Sequence, residues 1–75
     1  METHDMVRMA NQIAAFFRAY PEDEAVTEVA NHIASFWDPR MRRQLRDYAA
    51  AGGDGLDPMV MAAVPRIRIP ADEAA

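Results

Sequence analysis

Glu22, Asp23, Glu24 and Glu28 form the densest group of residues in the chain that could do acid–base chemistry. Paired carboxylates do such work when their surroundings drive their pKa values apart. These four follow Pro21 at a predicted helix start, where compensation of the helix dipole accounts for them. Zinc chemistry has little to draw on. There is no cysteine, and the two histidines, His4 and His32, fit none of the common ligand spacings. Gly52-Gly53-Asp54-Gly55 has the glycines of a phosphate loop but neither a preceding strand nor a Lys-Ser/Thr ending, and reads as a turn. Thr27 and Ser35 have no context that would activate a nucleophile. Arg40, Arg42, Arg43 and Arg46 form a basic cluster with Asp47 beside it. It reads as a solvated face, a contact for an acidic patch on a protein, or a small nucleic-acid contact.

The elements that carry these residues read as helices. From Asp5 to Tyr20, Met6, Met9, Ala10, Ile13, Phe16, Phe17 and Tyr20 recur at spacings of three and four, giving one apolar stripe. Asn11 lies almost opposite the stripe, and Thr3 or Asp5 could supply the N-cap. Pro21 ends this helix and can begin the next, which runs to about Trp37 with Val26, Val29, Ala30, Ile33, Phe36 and Trp37 as its stripe. His32 sits at the rim of that stripe, as a partly exposed packing residue does. The tight connection predicts an antiparallel helical hairpin. Asp38-Pro39 is an N-cap followed by proline at the first helical position. It opens a third helix to about Ala50, with Met41, Leu45, Tyr48 and Ala49 facing inward. Asp57-Pro58 repeats the signal for a short fourth helix to about Val64, closed by Pro65. Arg66-Ile67-Arg68-Ile69-Pro70 alternates charged and apolar residues and reads as an extended tail. The expected organisation is all-α: one helical domain over 1–69 and a disordered end over 70–75.

Met9–Phe17 and Val29–Trp37 resemble each other, each with Ile at the stripe centre and two aromatics at its end. Similar packing demands explain this, and so would a duplication. Adjacent aromatics on a helix diverge by about 100°, so a hairpin cannot cover both members of Phe16-Phe17 or of Phe36-Trp37. Either the later helices cover the rest, or it anchors a partner. Met59-Val60-Met61-Ala62-Ala63-Val64 is apolar nearly all round and needs cover on more than one side. Ile67 and Ile69 could extend that contact. The expected partner contacts are Phe17, Trp37, Met59, Met61, Ile67 and Ile69, with Arg40 and Arg43 at the rim.

Bulk properties agree with a docking role. A chain of 75 residues has a small core, so oligomerisation or a partner is a natural source of stability. All eight basic residues are arginines, and the net charge of −4 repels nucleic acid on average. No apolar run is long enough for a membrane span. The acidic start Met1-Glu2-Thr3-His4-Asp5 lacks the pattern of a signal peptide, so the expected location is the cytoplasm.

Three segments carry a family resemblance. Val7-Arg8-Met9-Ala10-Asn11-Gln12-Ile13, then Phe36-Trp37-Asp38-Pro39-Arg40-Met41-Arg42, then Gly55-Leu56-Asp57-Pro58-Met59-Val60 with Pro65-Arg66-Ile67, together resemble the delta subunit of NAD-dependent formate dehydrogenase. The likeness runs from about Met6 to Ile69. It implies a non-catalytic accessory subunit of a cytoplasmic complex that converts formate and NAD⁺ to carbon dioxide and NADH. It also implies a molybdenum or tungsten bis-pterin, iron–sulfur clusters and FMN in the larger subunits, with none bound by this chain. The expected partner is the catalytic alpha subunit, within a complex that also has beta and gamma subunits. The family supplies no catalytic residue to carry over. Two other functions stay open on the residues: a free-standing helical assembly chaperone, regulator or homodimer, and a nucleic-acid-binding helical domain using Arg40 to Arg46.

Overall fold

The computed structural model describes residues 1–69; the end expected to be disordered, 70–75, lies outside the described residues. Four α-helices follow in order: α1 (Thr3–Phe16), α2 (Glu22–Phe36), α3 (Pro39–Ala50) and α4 (Pro58–Ala63). A single 3₁₀ turn over Val64–Arg66 closes the series, and no strand occurs among the described residues.

α1 begins two residues earlier than its stripe suggests, and neither Thr3 nor Asp5 caps it. The Glu2 carboxylate accepts the N–H groups of His4 at 3.0 Å and Asp5 at 3.3 Å. The helix also stops at Phe16 and not at Tyr20. Arg18 N–H reaches Ala15 O and Tyr20 N–H reaches Phe17 O, the tighter i to i−3 pattern of a closing turn. Pro21 accounts for this, because proline disfavours helical backbone in the residue before it. Pro21 then serves α2 as N-cap, its carbonyl accepting Ala25 N–H at 2.8 Å.

The two Asp-Pro signals work as expected. Asp38 Oδ1 accepts Met41 N–H at 2.8 Å, and Asp57 Oδ1 accepts Met59 N–H at 2.8 Å; each proline occupies the first turn. α3 ends in a loop where Gly53 N–H donates to Tyr48 O at 3.0 Å with φ +62°. A Cβ on Gly53 would overlap Met61 Sδ, so the loop and α4 are in direct contact there.

One core runs through all four helices. Met6, Ile33, Leu45, Val29 and Val60 are its largest fully buried side chains, with Ala10, Ala14, Ala30 and Ala63 between them. These small residues allow close helix approach. α4 packs chiefly against α2, and also against α1 and the 3₁₀ turn. The apolar circumference of α4 is thus largely covered from within the chain. Pro65 does not end the winding, because a proline in the first positions of a 3₁₀ turn sacrifices no hydrogen bond. The radius of gyration, 11.4 Å, equals the roughly 11 Å of a globular chain of this length, so little of the molecule is extended.

Two polar residues tie distant segments together. Asn11, on the face of α1 opposite the stripe, donates Nδ2–H to Gly55 O at 2.9 Å and accepts Asp57 N–H at 2.8 Å. Arg42 is only 9% exposed, and its Nη1 donates to Arg68 O at 2.6 Å. α3 is further fastened by Gln44, whose Nε2 donates to Met1 O at 2.8 Å.

Candidate partner-docking surface

The adjacent aromatic pairs resolve in one direction. Phe16 and Phe36, the first member of each, are 74% and 75% exposed; Phe17 is half-buried and Trp37 only 5% exposed. Trp37 lies just beyond the end of α2, with extended backbone at φ −93° and ψ 140°, and joins the core. Trp37, carried on the α2 stripe and also expected as a partner contact, is therefore covered within the chain itself. Phe16 and Phe36, which the stripes also assigned inward, are the members left outside.

These side chains form a chain of rings. Phe16 meets Phe17 edge-on at 5.0 Å between centroids. Phe17 approaches His32 at 6.2 Å and Tyr20 at 5.5 Å, and His32 lies 4.6 Å from Phe36. Met9, Ile13, Trp37 and Met41 complete an open groove of about 400 Å³, with Gln12 as its other polar lining residue besides His32. Half-buried His32 is thus a packing residue between two aromatic rings, as its rim position predicts. A fully buried Phe side chain contributes about 1.5–3 kcal/mol relative to an exposed one. Each of the two exposed phenylalanines beside the apolar groove therefore leaves up to about that much unrealised in the free chain.

The other expected contacts fall elsewhere. Phe17 and Trp37 line the groove together. Arg40, exposed, and Arg43, half-buried, border a separate hollow with Asp38 and Pro39. Met59 is half-buried in a hollow of about 370 Å³ beside Arg18, Tyr20 and Asp57. Met61 is half-buried against Gly53, Ile67 is 7% exposed within the core, and Ile69 is half-buried. The eight residues thus occupy several surfaces and the core, not one face. The sequence signal for Phe16 and Phe36 was the divergence of adjacent aromatics; it could not say which member turns outward.

The remaining constellations keep structural roles. Glu22, Asp23, Glu24 and Glu28 are all exposed at the start of α2. The arginines of α3 do not make one basic face, since Arg42 is buried and Arg46 pairs with Asp47 at 3.0 Å. The Asp57 carboxyl has a shifted pKa. Burial pushes it up, but the Met59 N–H and the Arg18 guanidinium at 2.5 Å together outweigh burial and hold it below its ordinary 3.8. Among the described residues no group of three or more His, Cys, Asp or Glu could hold a metal ion, and no helix is long and apolar enough to cross a membrane.

The profile of one protein family, described as the NADH-dependant formate dehydrogenase delta subunit FdsD, matches residues 5–64. The chain belongs to this family. A delta subunit is one chain of a multi-subunit enzyme, and the matched stretch runs from the first turn of α1 to the start of the 3₁₀ turn. It contains the whole aromatic groove, so the family assignment and the exposed apolar surface concern the same part of the molecule. None of the curated proteins compared matches the chain.

Proposed function

We propose that this chain is a non-catalytic accessory subunit of a cytoplasmic NAD-dependent formate dehydrogenase, and that it docks on the catalytic alpha subunit through the Phe16–Phe36 groove. Docking supports assembly or stability of the complex. The observation that carries this reading is the pair of three-quarters-exposed phenylalanines flanking an apolar groove, in a chain whose family is a subunit. Aromatic side chains enclosed by a partner commonly supply much of a binding free energy. Residues 1–69 act as one helical domain, with α1 and α2 as a hairpin braced by α3, α4 and the tail. Phe17 serves as a wall of the groove and Trp37 as its floor. Arg40, Arg43, Met59, Met61 and Ile69 contribute contacts around it, and Ile67 supports the tail from inside.

The reading assigns formate oxidation to the larger subunits, with their molybdenum or tungsten bis-pterin, iron–sulfur clusters and FMN. This chain's contribution is mass action: a subunit that binds only the folded, assembled partner stabilises it in proportion to the logarithm of its concentration over Kd.

The test is co-purification of a Phe16→Ala, Phe36→Ala double variant with tagged large subunits. Neither side chain belongs to the buried core, so helicity by circular dichroism is expected to be unchanged while co-elution is lost. A helical variant that still co-elutes in full stoichiometry would sink the reading. A delta chain that binds the assembling enzyme but is absent from the purified complex would make it an assembly chaperone instead.

A further inference from the structure

Among the described residues Arg66 and Arg68 have no carboxylate partner, unlike Arg8, Arg18 and Arg46. Arg8 pairs with Asp5 at 2.8 Å, Arg18 with Asp57 at 2.5 Å and Arg46 with Asp47 at 3.0 Å. Arg66 instead donates to the Thr27 hydroxyl at 3.1 Å, and Arg68 lends only its carbonyl, to Arg42. Both side chains are exposed, and both line one hollow of about 390 Å³ with Asn31, Ala34 and Ser35 of α2. Among the described residues no carboxylate lines it.

The tail is built to present them. Ile67 has extended backbone, φ −78° and ψ 123°, and its side chain is buried. Arg66, at the end of the 3₁₀ turn, and Arg68, just past Ile67, both face the hollow while Ile67 turns into the core. Arg42 holds the Arg68 carbonyl from behind at 2.6 Å, and its own charge is buried with Nε unpaired. Arg42 thus adds a third, buried positive charge behind the segment that carries Arg66 and Arg68. Buried and clustered charge of one sign gains most from an opposite charge brought close.

Resting on the docking reading above, we infer that Arg66 and Arg68, with Asn31 and Ser35, form a second contact that binds aspartate or glutamate side chains of an acidic segment on the partner subunit. Guanidinium forks match carboxylates in bidentate geometry, and the Asn31 amide and Ser35 hydroxyl supply further donors. A nucleic acid fits the patch poorly. Two exposed arginines neutralise few phosphates, and the same helix carries exposed Asp23, Glu24 and Glu28, which line the neighbouring surface with Thr27. A short acidic segment needs only the patch itself.

The test is binding of the full chain to formate dehydrogenase purified without its delta subunit, measured at low and high NaCl. Wild type is expected to bind more weakly as salt rises. An Arg66→Glu, Arg68→Glu variant is expected to bind about tenfold or more weakly at low salt and to lose most of the salt dependence, with unchanged circular dichroism. An Arg66→Lys, Arg68→Lys variant should fall between. Equal affinity and equal salt slope in the Glu pair would overturn the inference while leaving the aromatic docking intact. Displacement of wild type by millimolar phosphate at constant ionic strength would assign the patch to free oxyanions and also overturn it. No binding by wild type at any salt would overturn both readings together.

Discussion

At the scale of single residues, Asp57 does more than cap a helix. Its carboxylate receives Met59 N–H and the Arg18 side chain, while its backbone N–H is held by Asn11. Asp57→Ala is expected to cost about 1 kcal/mol through the lost cap, read from urea unfolding. Because the folded pKa lies below the ordinary 3.8, this stabilisation is complete above that value and is lost as pH falls through the folded one. The stability gap between wild type and Asp57→Asn should therefore be constant near neutrality and close on acidification below 3.8. Gly53 makes a second residue-scale case. Its φ of +62° strains any L side chain, and Met61 occupies the space a Cβ needs. Gly53→Ala is expected to cost about 1–2 kcal/mol, seen as a lower urea midpoint with an unchanged slope. The Asp caps before Pro39 and Pro58 were legible in the sequence because a short acceptor before a proline has few other uses. The Glu2 cap was not, since a longer side chain reaches the same N–H groups from a position where short ones are the rule.

At the scale of elements, the arginine-rich helix α3 is the least expected. Its cluster reads as one surface, yet Arg42 is buried and reaches the tail. Sequence distance hides that contact: residue 68 lies two elements further on, and no local pattern marks a partner so far away. Arg42→Ala removes a buried stem as well as a hydrogen bond and is expected to cost about 2–3 kcal/mol. Arg42→Met keeps much of the volume and should cost less, since a well-packed apolar replacement for a buried charge is often near neutral. Both variants should speed amide hydrogen exchange at Ile67, whose N–H is bonded to Val64 O at 3.1 Å, if the clamp orders the tail. The aromatic ends of α1 and α2 follow the same logic. Periodicity located the apolar stripes, but the ends of both helices lie inside the aromatic pairs. One residue of non-helical backbone at Trp37 decides which ring is buried. Asn11, opposite the stripe, is fastened for a related reason: the loop that covers it returns from 44 residues away.

At the scale of the molecule, the all-helical fold and the family were readable, because they rest on long periodic segments and on several motifs in order. The surface proposed to face a partner was not, because it is what remains after every long-range contact has formed. α4 shows this most plainly: its methionines suggested an external partner, and α2 and α1 cover much of that need. What remains open is the groove between Phe16 and Phe36. Hydroxyl-radical footprinting of these two rings, in the free chain and in the assembled formate dehydrogenase, tests its role most directly. Strong labelling of both in the free chain and marked protection in the complex is the predicted result. Equal labelling in the two states would show that the groove stays open to solvent, contradicting the account.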